Sequence, residues 1–154
     1  MRKITISGRA VFGFFLLLAA SNISAQPQRT AQKPGIGWQR NLDDAFKLAA
    51  EKDRPLMVEF MAEWCPSCRM MEDSTFVDPG VIEKAGRFVP VRIDVDKQKE
   101  VAERYKSSAR KYGGIGIPNI LFMTRDGVRL KQRIGYMDAA TLTAVMDSVL
   151  TGVK

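Results

Sequence analysis

The chain has 154 residues, 45% of them hydrophobic and 27% charged, which suits one globular domain and excludes both a low-complexity chain and two full-sized domains. It contains no histidine, so imidazole bases, histidine-based triads and most zinc or haem sites are excluded before any motif is read. The formal charge is +7, or +4 without Arg2, Lys3 and Arg9 of the N-terminal segment, and no nucleic-acid motif accompanies that modest surplus.

The first residues, MRKITISGR, are basic and free of acids, and they run into the ten-residue apolar stretch Val11 to Ala20. SNISA follows, placing the small Ala25 before Gln26. A basic start, a short apolar run and a small residue at the cut predict a secretory signal peptide over residues 1–25, cleaved after Ala25. The run is shorter than the roughly 20 residues that span a bilayer. Ile23 is large for its place before the cut, so retention as an N-terminal membrane anchor is the alternative. Residues 26–37, QPQRTAQKPGIG, are polar, rich in proline and glycine, and without period, as in a flexible leader. The remaining residues, 38–154, form the folded domain.

Asn41 is placed to cap a helix running to Lys52, with Leu42, Ala45, Phe46 and Ala49 on one face and Pro55 beyond its end. LMVEFM, residues 56–61, is apolar on both faces apart from Glu59, which predicts a buried strand covered by helices on each side. Cys65 to Glu72 turns helical with Pro66 in the first turn, DSTFVDPG is looser, and a short helix takes Val81 to Ala85. FVPVRID, residues 88–94, is a second buried strand, and Lys97 to Ser107 has helical composition. GGIGIPNILFM brings Pro118 and a third strand, and Arg125-Asp126-Gly127 makes a hairpin turn. VRLKQRI then alternates, with Val128, Leu130 and Ile134 inward and Arg129, Lys131 and Arg133 outward. Asp138 caps a last helix, whose Leu142, Val145, Met146, Val149 and Leu150 recur at helical spacing. Together these elements predict an α/β fold, a central mixed β-sheet flanked by helices.

The chemistry concentrates in Ala62-Glu63-Trp64-Cys65-Pro66-Ser67-Cys68, where a buried strand meets a helix. A thiolate is the nucleophile of disulfide exchange, and a helix N-terminus stabilises it. Cys65 at the helix start is therefore expected to be the exposed attacking thiol, and Cys68, one turn in, the resolving one. A zinc ribbon needs a second such pair or two histidines, and the chain has neither. The alternatives left to one pair are an inert disulfide or Cu(I) binding through soft thiolates. Met70 and Met71 beside the motif read as core filler, and Arg104, Lys106, Arg110 and Lys111 as solvated surface.

VEFMAEWCPSCRMM resembles the active-site segment of thioredoxins, and GIGIPNILF resembles the thioredoxin loop that carries a cis-proline. With TFVDPGV, FVPVRIDV and GYMDAATL, the resemblance covers residues 38 to 150 and extends to the periplasmic C-terminal thioredoxin domains of the DsbD thiol:disulfide interchange proteins. It implies a thioredoxin fold with the cis-proline loop facing the CxxC pair. Cys65 then matches the nucleophile, Cys68 the resolving thiol and Pro118 the cis-proline. Glu59 matches the buried carboxylate that exchanges a proton with Cys68, and Ile117 the backbone that pairs with a substrate strand. Trp64 packs beside the sulfurs or in the core, and Pro66 and Ser67 complete the substrate-facing rim. The resemblance implies a periplasmic thiol–disulfide oxidoreductase, acting as a reductant, with no cofactor or metal beyond the Cys65–Cys68 disulfide. Its partners are protein or peptide disulfides and a separate electron donor in the membrane or periplasm, without nucleic acid. The alternatives are an oxidant or isomerase, and a redox-inert holdase or Cu(I)-binding module on the same fold.

Overall fold

The computed structural model describes residues 35–111 and 116–152, the side chains of 106–111 apart. The signal segment and its cleavage point, the leader to residue 34, the side chains of most of the basic run and the start of the proline loop lie outside what is described.

Asn41 accepts hydrogen bonds from the backbone N–H groups of Asp43 and Asp44, at 2.9 and 3.0 Å, and so begins α1 (Leu42–Lys52). The helix ends where Asp53 turns left-handed at φ 50°. β1 (Leu56–Met61) follows and is buried along almost its whole length. The helical stretch after Cys65 has two windings, α2 (Pro66–Met70) and a π-helical segment, Met71–Thr75. The expected loose stretch after Glu72 is thus corrected. The π segment takes in Asp73 to Thr75, and α3 (Pro79–Ala85) starts two residues early because Asp78 accepts the N–H groups of Gly80 and Val81 at 2.9 and 3.1 Å. Pro79 suits that first turn, where its missing N–H costs nothing. β2 (Val89–Asp94) and α4 (Lys99–Lys111) come next, then β3 (Asn119–Met123), β4 (Arg129–Ile134) and α5 (Ala139–Gly152). Thr141 N–H donates to Asp138 at 2.7 Å at the head of α5.

The sheet runs β2-β1-β3-β4, with β1 parallel to β2 and antiparallel to β3, and β3 antiparallel to β4. Alternation along β1 sends Leu56, Val58 and Phe60 into one core, with α1 and with Val89, Val91 and Ile93 of β2. Met57 goes to the opposite core with the π segment, α3, α5, Ile120 and Phe122. Glu59 shares that second face, at the middle of a central strand. It lies opposite Arg92 on one side and Ile120 on the other.

Two apolar expectations are corrected. Val128 and Leu130 do not point inward, being 62% and 36% exposed. β4 is the sheet's edge, and its pairing slips between Phe122 and Met123, which breaks the alternation there. Cations cover it instead: Lys131 Nζ reaches Ser148 on α5 at 2.7 Å and Arg129 lies over the Tyr105 ring. Met70 is 54% exposed while Met71 is fully buried, because successive helical positions point about 100° apart and only one can face the core.

Candidate active site

β1 delivers the chain to Ala62, the turn closes with Cys65 N–H donating to Ala62 O at 3.1 Å, and Cys65 becomes the N-cap of α2. Cys65 and Cys68 are joined by a disulfide, with Cα atoms 5.3 Å apart. The backbone N–H of Cys68 donates to Cys65 Sγ at 3.2 Å, so Cys65 is the sulfur that meets the helix donors. Arg69 Nε–H donates back to Glu63 O at 2.9 Å and clasps the turn before the pair.

The expectation of an exposed Cys65 is corrected: it is 3% exposed, nearly as covered as Cys68 at 2%. Both sulfurs belong to a small apolar cluster with Ala62, against which Met61, Val95 and Ile117 pack. The Ile117–Pro118 peptide bond is cis, and Pro118 O accepts Gly135 N–H at 2.8 Å. A half-open cavity of about 290 Å³ shares Val95 and Ile117 with the sulfur cluster and continues past Phe60, Asp96 and Tyr105. Trp64 does not pack in the core. It is 62% exposed, and its indole N–H donates to Asp96 at 2.6 Å, the polar ring atom drawing the side chain outward. Pro66 is exposed and Ser67 half-buried on the same rim, beside the Glu63–Lys97 ion pair.

On the face of the sheet that carries Met57, Glu59 is 1% exposed. Its carboxylate accepts Arg92 Nε–H at 2.6 Å, and Arg92 Nη1 donates to Glu72 of the π segment at the same distance. The guanidinium is covered by rings, 4.5 Å from the centre of Trp38 and 5.4 Å from that of Phe76. Burial pushes the Glu59 carboxyl up to about 7, and it outweighs the pull of the Arg92 charge in the other direction. A carboxyl poised there exchanges protons readily near neutral pH, which its exposed relatives cannot do.

Sequence reasoning missed Arg92, Glu72, Trp38 and Asp96. A signal for the first existed: Glu59 and Arg92 are charged residues set among apolar neighbours in two buried strands, and opposite charges buried in neighbouring strands call for each other. The other three are set by the π segment, the arm before α1 and the β2–α4 loop, which have no period to read. Among the described residues no group of three or more acidic, cysteine or histidine side chains is placed for a metal ion, and no helix is long and apolar enough to cross a membrane.

A family model described as a thioredoxin-like domain matches residues 42–150. The chain is 33% identical over 146 residues to the thiol:disulfide interchange protein DsbD of Salmonella typhimurium, an alignment covering 84% of this chain and 24% of that protein. With the DsbD of Colwellia psychrerythraea it shares 33% over 155 residues, covering 97% of this chain and 25% of the relative. The chain thus spans about a quarter of the length of these curated relatives. Among solved structures, a thioredoxin from Thermus thermophilus superposes with a TM-score of 0.62 at 26% identity, covering 74% of this chain and 87% of that one. The C-terminal domain of Neisseria meningitidis DsbD in the reduced form gives 0.55 at 24% identity, covering 70% and 92%, a likeness of fold. The chain belongs to the thioredoxin-like domain family, and with its vicinal cysteines closed as a disulfide between strand and helix it is a thiol–disulfide oxidoreductase.

Proposed function

We propose that this oxidoreductase works as a periplasmic reductant of protein or peptide disulfides, recharged by a separate electron donor. The observation that carries the reading is the Cys65–Cys68 pair at the head of α2, directly after β1, with a carboxyl of near-neutral pKa buried in that same strand. In the reduced protein, the Cys65 thiolate attacks one sulfur of the substrate disulfide and expels the other as a thiolate. Cys68 then gives up its proton to Glu59 and attacks Cys65 Sγ, releasing the second substrate thiolate and closing the disulfide of the structure. Two electrons pass to the substrate, and the proton held by Glu59 returns to solvent or product. The donor reverses these steps. Ile117 packs against the sulfur cluster, and an extended substrate segment pairs with its backbone by strand addition. The exposed Trp64 and Pro66 and the half-buried Ser67 form the rim that meets the rest of the substrate.

The export signal read in residues 1–25 supports the periplasmic setting, and the similarity to DsbD supports both the class of substrate and a dedicated donor. Turnover with dithiothreitol and insulin tests the activity: the protein accelerates insulin reduction, and Cys65→Ser abolishes the acceleration. No acceleration, with Cu(I) retained by the reduced pair, overturns the reading in favour of a soft-metal carrier.

A further inference from the structure

Residues 36–39 form an arm along the outer edge of β2. Gln39 N–H donates to Pro90 O at 2.8 Å and Arg92 N–H donates to Gln39 O at 2.9 Å, so Gln39 pairs with Val91 like one residue of a parallel strand. By alternation that pairing puts Trp38 on the other face, the face of Arg92 and Glu59. There the indole stands edge-on to Phe76, with ring centres 5.2 Å apart, and lies over the Arg92 guanidinium. The in-plane donors of Arg92 go to Glu59 and Glu72, while its flat faces, the weakly hydrated part of the ion, meet rings in place of water.

We propose that Trp38 is a positioning residue of the dithiol site: it holds Arg92 between Glu59 and Glu72 and keeps water from the buried carboxylate. The inference rests on the reading of Glu59 as the group that exchanges the Cys68 proton. The groups that act on Glu59 are Arg92 from β2, Glu72 from the π segment and Arg40, which follows the arm. β3 places Ile120 opposite it, and α2, which carries the cysteines, leads directly into the π segment that holds Glu72. Of the influences on Glu59, loss of water is the largest. Opening the Trp38 wall therefore lowers its proton affinity, even though the same water weakens the opposing pull of Arg92.

The test uses the full-length protein. Infrared difference spectra, with Glu59→Gln as reference, follow the Glu59 carboxyl through its titration in wild type, Trp38→Phe and Trp38→Leu. Trp38→Phe keeps an aromatic face over Arg92 and leaves the midpoint near its wild-type place. Trp38→Leu lowers the midpoint by a pH unit or more, a tenfold loss of proton affinity. A midpoint equal to wild type in Trp38→Leu, whatever its melting temperature, overturns the proposal. A measurement without a core substitution stands beside it: in a Trp64→Phe background, Trp38 emission steps at the Glu59 midpoint and loses the step in Glu59→Gln. An emission flat across that range also overturns the proposal. If the midpoint moves while the pH profile of disulfide exchange stays put, Trp38 keeps its role and the proton-exchange reading of Glu59 falls. If the exchange profile changes in Glu59→Gln while the Glu59 midpoint in Trp38→Leu equals wild type, the proton-exchange reading of Glu59 stands and the role of Trp38 falls.

Discussion

Replacing Glu59 by glutamine separates two opposing effects of a buried ion pair. Removing one partner of such a pair often costs about 3–5 kcal/mol, because the other charge is left stranded. Here Arg92 keeps Glu72 at 2.6 Å, and the amide oxygen of a glutamine can still accept its Nε–H. The carboxyl itself carries the larger cost, since burial raises it from an ordinary value near 4.5 to about 7. Below pH 4.5 the folded and unfolded chains both hold the proton, and stability is insensitive to this group. Between 4.5 and 7 the unfolded chain releases the proton while the folded one retains it, so stability falls as pH rises; above 7 the loss is complete. At ~1.4 kcal/mol per tenfold, the full loss is about 3 kcal/mol. Glu59→Gln, which mimics the protonated acid at every pH, should therefore match wild type near pH 4 and exceed it by about 3 kcal/mol at pH 8. Urea unfolding of the two oxidised proteins at both pH values measures the difference. A variant less stable than wild type at pH 8, or an advantage equal at the two pH values, would refute the argument that desolvation outweighs the pairing with Arg92.

Three further outcomes follow from the geometry. Cys68→Ser should accumulate a mixed disulfide through Cys65 and Cys65→Ser should accumulate none, because Cys65 Sγ receives the helix N–H; alkylation rates with mass spectrometry decide it, and a faster Cys68 reverses the assignment. The reduction potential should lie nearer the thioredoxin value of about −270 mV than the strong-oxidant value of about −120 mV, since neither Pro66 nor Ser67 brings a cation between the sulfurs. Equilibration with glutathione buffers gives it, and a value above about −150 mV makes the chain an oxidant or isomerase. Gly116→Ala should destabilise the fold by about 1–3 kcal/mol in thermal melts, because the added Cβ comes within 2.1 Å of Ile134 Cγ2, and Ile134→Ala in the same chain should restore most of the loss. An unchanged melting temperature for the single variant shows that the proline loop moves away from β4 without cost.

Local rules made most of the fold legible. Asn41 and Asp138 are capping side chains whose effect ends within a turn, and LMVEFM and FVPVRID are runs too apolar for anything but strands buried on both faces. The strand–CxxC–helix order likewise placed Cys65 at a helix start, because Pro66 in the first turn and the end of a buried strand leave one geometry for the residues between. The central place of Glu59 was also readable, from the apolar residues on both sides of it.

What the sequence could not determine depends on residues far apart meeting. Val128 and Leu130 carry the right alternation and are exposed, because whether an alternating strand has a covered face depends on which edge of the sheet it occupies and which helix reaches it. Trp64 is large and apolar, yet a single acceptor from another loop, Asp96, draws it to the surface. Glu59 acquires its near-neutral carboxyl only through its setting: Arg92 opposite it from another strand, Glu72 turned in by a π-helical winding, and Trp38 laid over Arg92 by an arm that adds to β2. Periodicity and capping act within a few residues and can be read along the chain. Desolvation acts through everything packed around a group, so the pKa of Glu59, and with it the chemistry of the site, was decided only when the tertiary structure closed over it.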